Sequence, residues 1–221
     1  MGTLITFSGV DCAGKSTQLE LLEARLRAEG HRVRTLWFRP GYSKELDGLR
    51  AAVRRVRPGA LPRSDGADSQ RRDEVFQKPT IRRSWVAMAL ADSLVQYALK
   101  LRTWIARGDV VLCDRYLWDS EMDLRLRFPE LKEPVRRAMK GLDLLCPKPD
   151  LALLLVLSME AASQRMAQKD EPFPDPEETR HDRYHRYMSL ASSGNFAVID
   201  AEGGRDDVAE LIWRQVCASL K

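Results

Sequence analysis

Cysteine is scarce in this chain. Its 221 residues hold only Cys12, Cys113, Cys146 and Cys217, far apart and with no C-x-x-C pair. That spacing speaks against a metal site and offers no disulfide framework; it suits a reducing cytosol, so a cytoplasmic location is expected. Long apolar runs are missing too: nothing reaches the roughly 18 residues of a membrane span, and no charged segment leads into an apolar signal core. The opening MGTLIT fits a myristoylation pattern by letter, but it runs straight into a strand pattern and is discounted. No membrane partner is expected. Internal repeats and low-complexity tracts are absent as well. Charge of one sign does not dominate, because a net +4 is only mildly basic. Arg54, Arg55, Arg57, Arg63, Arg71, Arg72, Arg82 and Arg83 do crowd one stretch, either as a solvated face or as the rim of an anionic ligand. No interleaved aromatics and no nucleic-acid motif accompany them, so nucleic acid is not the expected partner.

What is present reads as one α/β domain over residues 1–221, with 44% hydrophobic and 31% charged residues. Short, almost continuously apolar runs at Leu4–Ser8, Val33–Phe38, Val110–Cys113, Leu151–Leu157 and Phe196–Ile199 read as strands buried on both faces. Helical patterns separate them, at about 15–29, 43–56, 79–107, 130–142, 159–168, 176–192 and 205–219. Alternation of this kind predicts a three-layer fold, a parallel sheet between layers of helices. Gly30 marks a helix stop, and 57–70 reads as a loop.

The strongest motif is GVDCAGKST, Gly9 to Thr17, which fits G-x-x-x-x-G-K-[ST] between the first strand and first helix. In that context Gly9, Asp11, Cys12, Ala13, Gly14, Lys15, Ser16 and Thr17 form a phosphate cradle for ATP or GTP. Lys15 reaches the β- and γ-phosphates, and Ser16 ligates Mg²⁺. The string nearest to a guanine-reading N-K-x-D, Pro147 to Asp150, lacks the Asn and precedes its strand, which counts against a GTPase switch.

Two further stretches point to phosphoryl transfer. VVLCDRY, Val110 to Tyr116, puts Asp114 and Arg115 at the carboxyl end of a strand, where open α/β sheets bind ligands. Asp114 could hold Mg²⁺ or take a proton and Arg115 could clamp an acceptor phosphate; an ion pair capping the strand is the plainer alternative. From Gln164 to Tyr187 an acidic, Pro-rich turn leads into a helix with Arg180 and Arg183 on one face. This reads as a lid, about 168–180, that excludes water during transfer, or else as a solvated hairpin.

GVDCAGKSTQ, the strand-end DRY, PDLALLLVLSMEAASQR ahead of the lid and FAVIDAEG before the last helix occur in this order over nearly the whole length. Together they resemble the thymidylate kinase family of nucleoside monophosphate kinases. The resemblance implies a P-loop NTPase-type fold with a five-stranded parallel sheet and a small lid. It implies transfer from ATP, with Mg²⁺, to dTMP, and a homodimer joined through the long helix at 79–107. It also sets Asp11 against the acceptor's sugar, with Arg115 and Arg39 on its phosphate.

The acceptor half departs from the family. Where members carry an aromatic and then an Asx-Arg pair to read thymine, this chain has Ala89 and Asp92-Ser93. Trp85, Ala89, Asp92, Ser93 and Gln96 are therefore the candidate acceptor residues, with Asp92 and Gln96 serving either recognition or a structural hydrogen-bond network. Asp119 stands where a serine is usual, and Met122-Asp123-Leu124 replaces Ala-Tyr-Gln. A different small acceptor, such as another nucleotide, a sugar or a sugar phosphate, stays open, as does a nucleotide-binding module without transferase activity. Some members have an arginine inside the loop where Cys12 stands. A thiol cannot neutralise charge on a transferring phosphoryl group, so the cation is expected from the lid, with Arg165, Lys169, Arg180 and Arg183 as candidates.

Overall fold

The computed structural model describes residues 2–41, 43, 48, 51, 55, 76–168 and 176–220. Its strands are β1 (Thr3–Gly9), β2 (Val33–Trp37), β3 (Val110–Asp114), β4 (Leu151–Val156) and β5 (Ala197–Asp200). All pair in parallel, in the order β2-β3-β1-β4-β5, so the strand that ends in the phosphate loop lies at the centre.

Successive strand residues point to opposite faces, and each face carries its own core. Leu4, Leu36 and Val111 pack on one side against Trp85 and Tyr97 from the long helix and Val135 from a later one. Ile5, Phe7 and Leu112 pack on the other against Leu19 and Leu22 of the first helix and Ile212 and Val216 of the last. The expectation of strands buried on both faces holds for β3, whereas β2, at the sheet edge, leaves Arg34, Thr35 and Trp37 exposed.

The helices are α1 (Lys15–Ala28), α2 (Pro79–Ser93), α3 (Leu101–Ala106), α4 (Leu117–Arg127), α5 (Lys132–Leu145), α6 (Met159–Ala167), α7 (Glu177–Ala191) and α8 (Arg205–Ser219). Helix α1 stops as its sequence predicts, with Gly30 at φ 87° just beyond it. Helix α4 has no counterpart among the expected elements. Its N-cap is Tyr116, not the usual Ser, Thr, Asp or Asn, and the N-terminus is closed from the other side, by the Asp119 carboxylate accepting from Tyr116 N–H at 2.8 Å. The helix expected over 79–107 is continuous but changes winding, because α2 and α3 are joined by a π-helical segment, Leu94–Lys100. It is also less buried than its composition predicts: Leu94, Val95 and Leu99 are 36%, 37% and 61% exposed. Most of the helix expected at 43–56, the loop at 57–70 and Arg54, Arg57, Arg63, Arg71 and Arg72 lie outside the described residues, as do Lys169 and the rest of the lid to 175.

Candidate active site

The turn between β1 and α1 is built around backbone that only small residues tolerate. Gly9 has φ 147°, and a Cβ there would sit 2.2 Å from the carbonyl oxygen of Leu155 on β4. Gly14 turns the chain into α1 at φ 80°, and Cys12 adopts φ 62° despite its side chain. Val10 N–H donates to Leu155 O at 3.1 Å, which anchors the loop to the neighbouring strand. Lys15, buried at the start of α1, donates from Nζ to the carbonyl oxygens of Gly9 and Val10, both at 2.8 Å. Burial, helped by the nearby Arg115 charge, lowers its pKa to about 8, while Asp11, Asp119 and Asp114 pull the other way. Ser16 and Thr17, the next two residues in the first turn of α1, are exposed.

Strand β3 delivers the second group of residues. Register pairs Phe7 with Asp114, so β3 ends two residues before β1 does, beside the start of the loop. Asp114 is 7% exposed, and burial raises its pKa against the opposing pull of Arg115 and Lys15. Among the described residues, no hydrogen bond or ion pair engages its carboxylate. Arg115 follows at φ 76°, a conformation disfavoured for a residue with a Cβ, held by a 2.9 Å bond from its N–H to Phe7 O. The strained turn swings the guanidinium toward Asp11, with Nη2 3.8 Å from Oδ1.

Helix α7 supplies the third group. Arg183 bridges two carboxylates, Asp11 at 2.8 Å and Asp123 of α4 at 3.5 Å. Burial opposes ionisation of Asp11, but Arg183, Lys15 and Arg115 outweigh it and hold the carboxyl below its usual range. Arg180 lies against the Met166 sulfur and Arg165 Nη2 reaches Glu202 O at 3.3 Å. These groups converge on a cleft of about 710 Å³ over the carboxyl ends of the strands, where Arg39, Arg115, Arg165, Arg180 and Arg183 face the loop. Polyanion binding is what such an array does best. Trp37 and Asp123 also line the cleft, and neither was singled out as a site residue from the sequence. Trp37 had a readable signal, the last position of a strand.

The candidate acceptor residues on the long helix do not line this cleft. Trp85, Ala89, Asp92, Ser93 and Gln96 are all buried. Asp92 accepts from Gly41 N at 3.0 Å, from Ser43 N at 3.3 Å and from the Ser43 hydroxyl, tying down the chain that follows β2. Trp85 fills the space beside Gly41, where a Cβ would meet its ring at 2.9 Å. Ser93 Oγ donates to Ala89 O at 2.8 Å, and Gln96 Oε1 accepts from Lys100 Nζ at 3.1 Å. Asp92 is held in a structural network, because a buried carboxylate finds its nearest donors in the backbone it supports, whereas Gln96 Nε2 is buried with no hydrogen-bond partner among the described residues.

A family model described as thymidylate kinase matches residues 76–212. Thymidylate kinase from Rhodopseudomonas palustris (strain TIE-1) is 30% identical over 97% of this chain and 88% of that protein. The enzyme of the same name from Desulforudis audaxviator is 32% identical over 100% of the chain and 92% of its own length. The one from Deinococcus radiodurans is 32% identical over 97% and 96%. The chain belongs to the thymidylate kinase family. Membership makes it a phosphotransferase of the nucleoside monophosphate kinase type. The family's α/β fold with a five-stranded parallel sheet is the one observed. The family model's match begins at Phe76, beyond the phosphate loop, while the three relatives extend along nearly the whole chain.

Proposed function

We propose that the protein, acting as a single P-loop kinase domain, transfers the γ-phosphoryl group of ATP to dTMP, giving ADP and dTDP. The observation that carries this reading is the cleft itself, where a lysine-bearing phosphate loop faces arginines from β3, α6, α7 and the segment after β2. Lys15 and the loop backbone hold the β- and γ-phosphates. Arg115 and Arg39 grip the acceptor phosphate, with Asp11 beside its sugar. An oxygen of the acceptor phosphate attacks the γ-phosphorus as the bond to the ADP oxygen breaks, and Arg180 and Arg183 neutralise the charge that spreads over the transferring group.

Mg²⁺ fits the residues present. Asp114, buried at the end of β3 and outside the cleft lining, brings a carboxylate with no partner among the described residues, and Ser16 lines the cleft. When bound, the ion offsets charge on the β- and γ-phosphates. A homodimer through the long helix is supported by exposed Leu94, Val95 and Leu99 on its π-helical segment. A cytoplasmic location agrees with Cys113, Cys146 and Cys217, none of which forms a disulfide. No described helix is long and apolar enough to cross a membrane.

The test is ADP release by the purified protein with ATP, Mg²⁺ and a panel of acceptors. Stimulation by dTMP above every other member is expected; preference for a sugar phosphate would overturn the acceptor, and no stimulation at all would overturn the enzyme. The same assay tests the lid. Arg183→Ala removes the cation nearest the loop's Asp11 and is expected to lower kcat more than tenfold, about 1.4 kcal/mol of barrier. A smaller loss would move the catalytic cation elsewhere.

A further inference from the structure

Asp119 is 1% exposed and sits behind the cleft, where three separate parts of the site meet on its two oxygens. One oxygen accepts from the Ser8 hydroxyl at 2.6 Å and from Tyr116 N–H at 2.8 Å. The other accepts from the Tyr187 hydroxyl at 2.7 Å. Ser8 immediately precedes the first glycine of the phosphate loop, Tyr116 immediately follows Arg115, and Tyr187 belongs to α7. The Tyr187 oxygen in turn lies 3.5 Å from Arg115 Nη1, which donates to it. Trp118 Nε1 donates to Ser8 Oγ at 2.5 Å, so the serine is oriented to give its own proton to Asp119.

We infer that Asp119 is a positioning residue for Arg115, aligning the phosphate loop, the strained turn after β3 and α7 through one buried carboxylate. Its effect passes through Tyr187: by accepting the phenol's hydrogen bond, Asp119 leaves the phenol oxygen's lone pairs turned toward the guanidinium. A serine, the usual residue here in the family, can accept hydrogen bonds but brings no charge opposite Arg115. With three donors around it, the carboxylate is the acceptor-only group the geometry requires. This rests on the reading of Arg115 as the residue that grips the acceptor phosphate.

Asp119→Asn keeps the shape, removes the charge and turns one acceptor into a donor facing donors. Tyr187→Phe removes the hydroxyl that joins Asp119 to Arg115, and with it both of its hydrogen bonds, while leaving the carboxylate's charge in place. Both variants are to be assayed with dTMP and ATP varied separately, beside their double variant. The wild type serves as the control on the underlying reading: if it does not turn over dTMP, that reading fails before the variants are considered. With an active wild type, Asp119→Asn is expected to raise KM for dTMP at least tenfold while KM for ATP stays within about twofold. Tyr187→Phe is expected to repeat part of that rise, and the double variant to be no worse than Asp119→Asn. Equal rises in both KM values, unchanged KM values with only a lowered Tm, or fully additive effects in the double variant would each overturn the inference. If Asp119→Asn does not fold, Tyr187→Phe decides alone: a dTMP KM within twofold of wild type refutes it.

Discussion

Lys15→Ala is expected to lower kcat by about 10²–10³-fold, the loss typical of removing one preorganised charge from a transferring group. The lysine is set before any substrate arrives, because two of its three ammonium protons are already engaged by the Gly9 and Val10 carbonyl oxygens. Lys15 itself lines the cleft, so water can take the place of the lost ammonium and the fold is expected to survive with Tm within a few degrees of wild type. Circular dichroism melts beside steady-state assays separate the two effects; a variant that keeps more than a tenth of wild-type kcat would refute the assignment. The depressed pKa adds a pH signature. The free protein loses this proton above about pH 8, so a polyphosphate binding at higher pH must first recapture it. KM for ATP is therefore expected to rise as pH increases through 8, and a flat profile to pH 10 would contradict the burial that causes the shift.

Gly9→Ala is expected to be the most destabilising single methyl in the loop. The added carbon would lie 2.2 Å from Leu155 O and 2.9 Å from Leu155 N and C, all backbone of the central sheet. It would also force an L side chain to φ 147°. Nothing at that position can swing aside, because Val10 is bonded to the same carbonyl and β1 pairs with β4 in this register. Strain and steric displacement together are expected to cost at least about 3 kcal/mol. For a chain of this size that corresponds to a fall in Tm of roughly 6–12 °C. Gly14→Ala is the control: its φ is 80°, yet an added Cβ there would meet nothing within 4 Å, so it should lose less stability. Equal losses would mean that backbone strain, not the Leu155 contact, governs this turn.

The donor half of the site was legible because its chemistry is local. A strand, a glycine-rich turn and a helix are contiguous in sequence, and Lys15 follows its cradle directly. DRY was legible for the same reason, as a polar cluster closing an apolar strand. The acceptor half depends on which long-range partners a polar side chain finds. Asp92 and Gly41 are 51 positions apart, and no periodicity in either segment announces their bond. Asp119 was noticed only as a departure, since its partners Ser8 and Tyr187 lie 111 and 68 positions away. Helix α4 escaped for a different reason: its cap is an aromatic, and the helix-start rule looks for short polar side chains.

The π-helical segment Leu94–Lys100 carries a consequence for counting along the long helix. A π turn is commonly the trace of one residue inserted into an α-helix, and it rotates everything beyond it by about a hundred degrees. Two chains that share the helix but not the insertion present different side chains at the same offset once Ser93 is passed. Gapless alignment then equates residues that point about a hundred degrees apart, so positions after Ser93 should be matched by direction, with a one-residue gap allowed, rather than by spacing from Trp85.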